Sequence, residues 1–250
     1  MKIDTKPSSN CNARADGIAL QYVVLHYTGL PTAQEALSRL CDPSSQVSAH
    51  YMIDEDGSLT QLVDESSRAW HAGQSFWRGE RDLNSASLGI ELVNPGHEYG
   101  YRPFPREQIA ALKDLLRDIM RRYHLPASCL LAHSDIAPLR KQDPGEYFPW
   151  QELAAEGIGL WPAPEKQDYL PTSPDAAARL LNAIGYDCPE QGLSNVFRSK
   201  LELSKCHGDE RLALAALIAF ERRYHPENLD SEPNAETFSR LSALARMMGT

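Results

Sequence analysis

No apolar run in the 250-residue sequence approaches the length of a membrane span. The first residues, Met1-Lys2-Ile3-Asp4-Thr5-Lys6-Pro7, have no apolar core, so no secretory signal is expected in them. Cys11 lacks the apolar run of a lipoprotein acceptor. Basic residues are few beside acidic ones: 25 Lys and Arg against 34 Asp and Glu, a formal charge of −9. A nucleic-acid binder would show a basic stripe, so that class of partner is excluded. The five cysteines, at 11, 41, 129, 188 and 206, form no Cys-x-x-Cys pair and are odd in number. That argues against a disulfide framework and against an all-thiolate metal site. Cys129, ahead of Leu130-Leu131, is expected to be a small buried hydrophobe. Internal repeats and low-complexity tracts are also absent.

What is present is ordinary for a soluble globular protein: 42 % hydrophobic and 24 % charged residues, in a length that suits one large domain or a medium and a small one. The most informative stretch runs from Ala132 to Gly145. Cys129-Leu130-Leu131 reads as a buried strand, so His133 sits where that strand gives way to a loop. Asp143 precedes Pro144, which keeps its backbone out of the helical region. Arg140 and Lys141 lie between the two. Imidazole and carboxylate are both good zinc ligands, so this loop can supply part of a zinc site. A His and an Asp on one loop can equally be surface polar residues, and the rest of the chain has to supply the third ligand and the base.

Residues 1–20 are polar and irregular, which predicts a poorly tied leading segment. Gln21–Thr28 is β-branched and apolar on both faces, the pattern of an interior strand, and His26 lies near its end. Ligand-binding groups gather at such strand ends, although a hydrogen-bonded core histidine fits the position too. Thr32-Ala33-Gln34-Glu35 is a capping box for a helix over Ala33–Leu40. Val47–Ile53 and Ser58–Val63 read as a hairpin turning at Asp54-Glu55-Asp56-Gly57. His50, mid-strand among apolar neighbours, reads as structural. Trp70 and His71, before Ala72-Gly73, suit a pocket wall, with His71 a substrate contact rather than a metal ligand. Ser87–Asn94 is a buried strand carrying Glu91, and a buried Glu needs a partner. It is either half of a salt bridge or a catalytic base. A long helix opens at Pro105, with Ile109, Leu112, Leu115, Leu116, Ile119, Met120 and Tyr123 on one face and Lys113, Asp114, Arg117, Arg121 and Arg122 opposite. Strands alternating with helices predict an α/β protein with one functional edge.

From Trp161 the composition changes. Pro162, Pro164, Pro171 and Pro174 mark a linker, taken as residues 163–174. Beyond it, helices are predicted from Ser173-Pro174 to Gly185, over Asp209–Tyr224, and from Asn234 to about Met248. The stretch from Leu193 to Gly208 gives no clear pattern.

Five motifs in order resemble the zinc-dependent N-acetylmuramoyl-L-alanine amidases of the AmpD/AmiD type. They are Val24-Leu25-His26-Tyr27-Thr28, Val47-Ser48-Ala49-His50-Tyr51, Ala69-Trp70-His71-Ala72-Gly73, Gly89-Ile90-Glu91-Leu92-Val93-Asn94, and His133-Ser134-Asp135 through Lys141-Gln142-Asp143-Pro144-Gly145. Phe148-Pro149-Trp150 extends the match, which covers about residues 20–162. The resemblance implies a mixed central β-sheet flanked by helices over residues 1–162. It also implies one Zn2+ per monomer on His26, His133 and Asp143, with Glu91 and Lys141 catalytic. Two imidazoles and a carboxylate leave a fourth position for water, as catalytic zinc sites do. Arg140 is expected to meet a stem-peptide carboxylate, and Trp70 and His71 to line the groove. The implied substrate is peptidoglycan or a muropeptide, cut between the lactyl group of N-acetylmuramic acid and L-alanine. The expected compartment is the bacterial cell envelope or periplasm rather than the cytoplasm.

The tail, residues 175–250, resembles the small three-helix peptidoglycan-binding domain through Ala219–Asn228 and Ala235-Glu236-Thr237. It is expected to be a separate unit that aids binding without performing chemistry. Two rival readings belong to other classes. A non-catalytic recognition module of this fold would lack a metal ligand, whereas here every position is filled. A zinc hydrolase acting on another amide shares the ligand set and is disfavoured by the motifs alone.

Overall fold

The computed structural model describes residues 2–169, 173–194, 203–229 and 232–250. The strands are β1 (Asp4–Thr5), β2 (Cys11–Ala13), β3 (Tyr22–Tyr27), β4 (Tyr51–Ile53), β5 (Leu59–Gln61), β6 (Ser67–Ala69), β7 (Ser87–Leu92) and β8 (Leu130–Ala132). Interleaved with them are α1 (Ala33–Cys41), α2 (Leu83–Ala86), α3 (Gly96–Tyr99), α4 (Arg106–Tyr123) and α5 (His133–Ile136). Then follow α6 (Trp150–Ala155), α7 (Pro174–Ile184), α8 (Gly208–Tyr224) and α9 (Ala235–Met247).

One mixed sheet has the order β1-β5-β4-β7-β3-β8, and β2 pairs with β6 beside it. β3 lies between β7 and β8 and is parallel to both, as its two-sided apolar pattern requires. The leading segment is better tied than its polarity predicts. Its two short strands hydrogen-bond through backbone, which composition does not report, and Arg14 donates to the carbonyls of Glu65, Ser85 and Ser87.

The alternation of side chains across the sheet divides its two faces. Val23 and Leu25 of β3 join Leu88, Ile90 and Leu92 of β7 under α4, whose Ile109, Leu112, Leu115, Leu116 and Ile119 are buried there. Lys113, expected on the charged face of α4, is instead largely buried with its amine between Glu152 and Glu156 of the region around α6. Val24 points the other way, into a cluster with Leu131, Ala72 and Leu83 that continues into the tail helices through Ala177, Leu181, Leu217 and Phe220.

The predicted tail helices are present, with Ser173 and Asn234 as N-caps and Gly185 closing α7. Their relation to the sheet differs from a tethered unit. Tyr186 donates its hydroxyl to Asp135 Oδ1 at 2.7 Å, and Arg223 pairs with Asp135 Oδ2 while its Nη2 donates to the Leu130 carbonyl at 2.9 Å. The Arg223 guanidinium also lies 4.0 Å from the centre of the Trp150 ring. Asp135, Arg223 and Tyr186 are all buried. A carboxylate at the end of the sheet is thus satisfied by the tail. Of the linker, Asp168 is held by Arg246 of α9 at 2.8 Å; Pro171 and half of the stretch from Leu193 to Gly208 lie outside the described residues.

Candidate metal centre

Strand register assembles the site. In the β3–β7 pair His26 lies opposite Glu91, and in the β3–β8 pair Leu25 lies opposite Ala132, so His133 begins α5 level with His26. Asp143 is brought back by the loop after α5, where the Ser134 amide donates to the Asp143 carbonyl at 3.0 Å. The result is a small triangle. His26 Nδ1 is 2.8 Å from His133 Nδ1 and 3.1 Å from Asp143 Oδ2, and His133 Nδ1 is 3.0 Å from the same oxygen. All three side chains are buried.

The triangle fits a cation. His133 Nε2 lies 3.3 Å from the Ala72 carbonyl, which only accepts, so that nitrogen carries the proton and Nδ1 offers a lone pair. A carboxylate oxygen and imidazole nitrogens converging without protons to share repel one another unless a positive ion sits among them. Zinc–ligand bonds of about 2.0–2.2 Å put adjacent tetrahedral ligands about 3.3 Å apart, close to the edges seen. Burial, with the neighbouring His133 adding to it, pushes the His26 imidazole down to about 4, so it is neutral and ligand-competent at pH 7. Burial alone would raise Asp143, but the two imidazoles together hold its carboxyl below the ordinary range.

The triangle opens into a cleft of about 540 Å³ lined by Glu91, Lys141, Arg140, Trp70 and Tyr99 among others. Glu91 Oε2 is shielded from solvent and has no hydrogen-bond partner among the described residues. Burial, and secondarily the Asp143 charge, raises the Glu91 carboxyl well above its usual value, and Lys141 offsets part of this. Lys141 itself makes no ion pair among the described residues. Arg140 is on the cleft wall, yet its Nη2 donates to the carbonyls of Ala72 and Gln74. Trp70 lines the wall with its Nε1 donating to Asn12 Oδ1 at 2.6 Å.

His50 is structural, as its neighbours predict: its Nδ1 accepts from the Gly89 amide at 2.9 Å, and burial pushes it down to about 4. His71 lines the same cleft and also reaches the triangle. It is 8 % exposed, and its Nδ1 is 3.1 Å from His26 Nε2. Sequence could not place it, because residues 70–73 form no regular element whose register could be read. Gly89 makes the room: a Cβ there would come within 2.4 Å of His71 Cγ. Gly89→Ala is therefore expected to cost about 1–3 kcal/mol by overpacking, seen as a melting temperature lower by several degrees. An unchanged melting temperature would mean that the ring moves aside freely. Sequence reasoning also missed Asn84, whose Oδ1 accepts from the amides of His71 and Ala72 at 2.9 and 2.7 Å.

Comparisons with known proteins bear on the family of the chain. A relative, the N-acetylmuramoyl-L-alanine amidase AmiD of Escherichia coli, is 35 % identical over 250 residues, covering 92 % of this chain and 84 % of its own. The solved complex of E. coli AmiD with anhydro-N-acetylmuramic acid-L-Ala-D-gamma-Glu-L-Lys superposes with a TM-score of 0.75 at 33 % identity, covering 95 % of this chain and 94 % of that one. AmpDh3 of Pseudomonas aeruginosa in complex with anhydromuramic pentapeptide gives 0.72 at 31 % identity, covering 92 % of each chain. The profile that describes N-acetylmuramoyl-L-alanine amidases matches residues 16–146, the segment that contains every corner of the triangle and Glu91. With that profile matched over more than half of the chain and a 35 % identical relative covered over most of its length, the chain belongs to the N-acetylmuramoyl-L-alanine amidase family.

Proposed function

We propose that the protein hydrolyses the amide between the lactyl group of N-acetylmuramic acid and L-alanine of the peptidoglycan stem, with one zinc held by His26, His133 and Asp143. The observation that carries the proposal is the buried triangle of donors together with Glu91, opposite His26 in the same cleft, whose Oε2 has no hydrogen-bond partner among the described residues. A zinc ion there would supply Lewis-acid activation of water and of the scissile carbonyl. The chain's own residues do the rest. Glu91, raised in proton affinity by its burial, takes a proton from the attacking water as the C–O bond forms. It passes that proton to the alanine nitrogen as the C–N bond breaks, so the products are a lactyl carboxylate and a free amine. Lys141, a cleft cation without an ion-pair partner among the described residues, stabilises the negative charge that develops on the carbonyl oxygen. Trp70 forms a wall for the substrate, and Arg140 contributes positive charge on the side where stem-peptide carboxylates would lie.

The test is digestion of a defined muropeptide with products identified by mass. Protein stripped by a chelator should be inactive and regain activity with one equivalent of zinc. His26→Ala should lose both metal and activity. Full zinc content and full activity in that variant would remove His26 from the ligand set. Running intact sacculi beside 1,6-anhydro-muropeptides assigns the preferred form of the substrate.

A further inference from the structure

Behind the triangle lies a chain of hydrogen bonds whose direction is fixed from its far end. Ser87 Oγ donates to the Leu83 carbonyl, which can only accept. The hydroxyl's one proton is then used, so toward His71 Nε2, 3.4 Å away, Ser87 presents lone pairs. His71 therefore carries its proton on Nε2 and offers a lone pair at Nδ1. His26 Nε2, 3.1 Å from that atom, must donate. A neutral His26 protonated at Nε2 has its Nδ1 free, and Nδ1 is the atom that faces His133 and Asp143. The next residue does the same for the other imidazole, since the Ala72 carbonyl accepts from His133 Nε2 at 3.3 Å.

We infer that the His71-Ala72 segment is the outer frame of the metal centre, with His71 a positioning residue that fixes the tautomer and orientation of His26. The inference rests on the metal reading above. Two features show that the segment is held in place. Asn84 Oδ1 receives both of its amides, and Gly89 leaves space for the imidazole that no other residue would leave. His71 borders the cleft with 8 % of its surface exposed, and both of its ring nitrogens face protein groups, His26 Nε2 and Ser87 Oγ.

Outer partners of this kind set metal affinity, and their loss costs about 10–100-fold. The experiment compares zinc affinity, by competition with a chromophoric chelator, in the parent, His71→Leu and His71→Asn. Asparagine places its side-chain oxygen near the position of His71 Nδ1 and keeps an acceptor for His26; leucine keeps bulk without one. The leucine variant should bind zinc roughly 10–100-fold more weakly, and the asparagine variant within about threefold of the parent. Nitrogen-15 spectra of the metal-free parent should show His26 protonated at Nε2. Equal affinities in all three proteins, or equal losses in both variants, would overturn the positioning role. So would a His26 protonated at Nδ1 in the parent, a readout that needs no metal. A parent that takes up no zinc would overturn the metal reading instead, and the spectrum would still decide the frame.

Discussion

Glu91→Gln should lower kcat on a defined muropeptide by about a hundredfold or more, the usual span for a lost general acid–base group. Its zinc content should stay unchanged, because Glu91 is not a corner of the donor triangle. In the metal-free protein the same substitution should raise the melting temperature. Glu91 Oε2 has no hydrogen-bond partner among the described residues, and burial raises its proton affinity well above the usual value. An unfolded Glu titrates near about 4.3. Between that pH and the higher folded value, the native state holds a proton that the unfolded state has released, so stability falls as pH rises through the window. Gln has no such proton to lose. The gap in melting temperature between variant and parent should therefore widen from pH 4.5 to pH 7. A salt-bridge residue would behave in the opposite way, and near-normal kcat with a lowered melting temperature would return Glu91 to that role.

Cutting the chain after Tyr169 should destroy the enzyme, not only its hold on large substrates. Truncation would expose Ala72, Leu131 and Ile136, which share a core with Leu181, Leu217 and Phe220. It would also leave Asp135 buried without Tyr186 and Arg223, two residues beyond His133. Arg223→Met isolates the electrostatic part. Removing one partner of a buried ion pair costs about 3–5 kcal/mol. For a chain of this size that corresponds to a fall of roughly 6–20 °C in melting temperature. The measurement is thermal unfolding beside activity on a small muropeptide. A truncated protein that stays folded and keeps small-substrate activity would restore the tail to a detachable module.

The sequence made the chemistry legible because its motifs sit on regular elements. His26 and Glu91 lie on strands whose apolar patterns are plain, and His133 directly follows such a strand. The caps Thr32, Ser173 and Asn234 announced their helices for the same local reason. What stayed hidden depends on contacts remote in sequence. β1 and β2 are two and three residues long, too short for any periodicity to appear. His71 acts through single atoms on irregular backbone, and Asn84 through one oxygen on the four-residue α2. Nothing in the spacing of α7 and α8 signals that Tyr186 and Arg223 reach across to Asp135.

The division of β3 between two cores has a consequence for how such a chain can change over generations. Odd residues Val23 and Leu25 serve the α4 side, whereas even residues Val24 and His26 serve the opposite one. Inserting or deleting a single residue within this strand would invert that parity, placing leucine in the cleft and a metal donor in an apolar core. Lineages of this protein can therefore lengthen or shorten only between fixed points. The start of the loop after α5, at Pro138 and Leu139, is such a place, since these two residues do not line the cleft whereas Arg140, Lys141 and Asp143 have to return to it. Diversity in length should accumulate there while the strands keep their count.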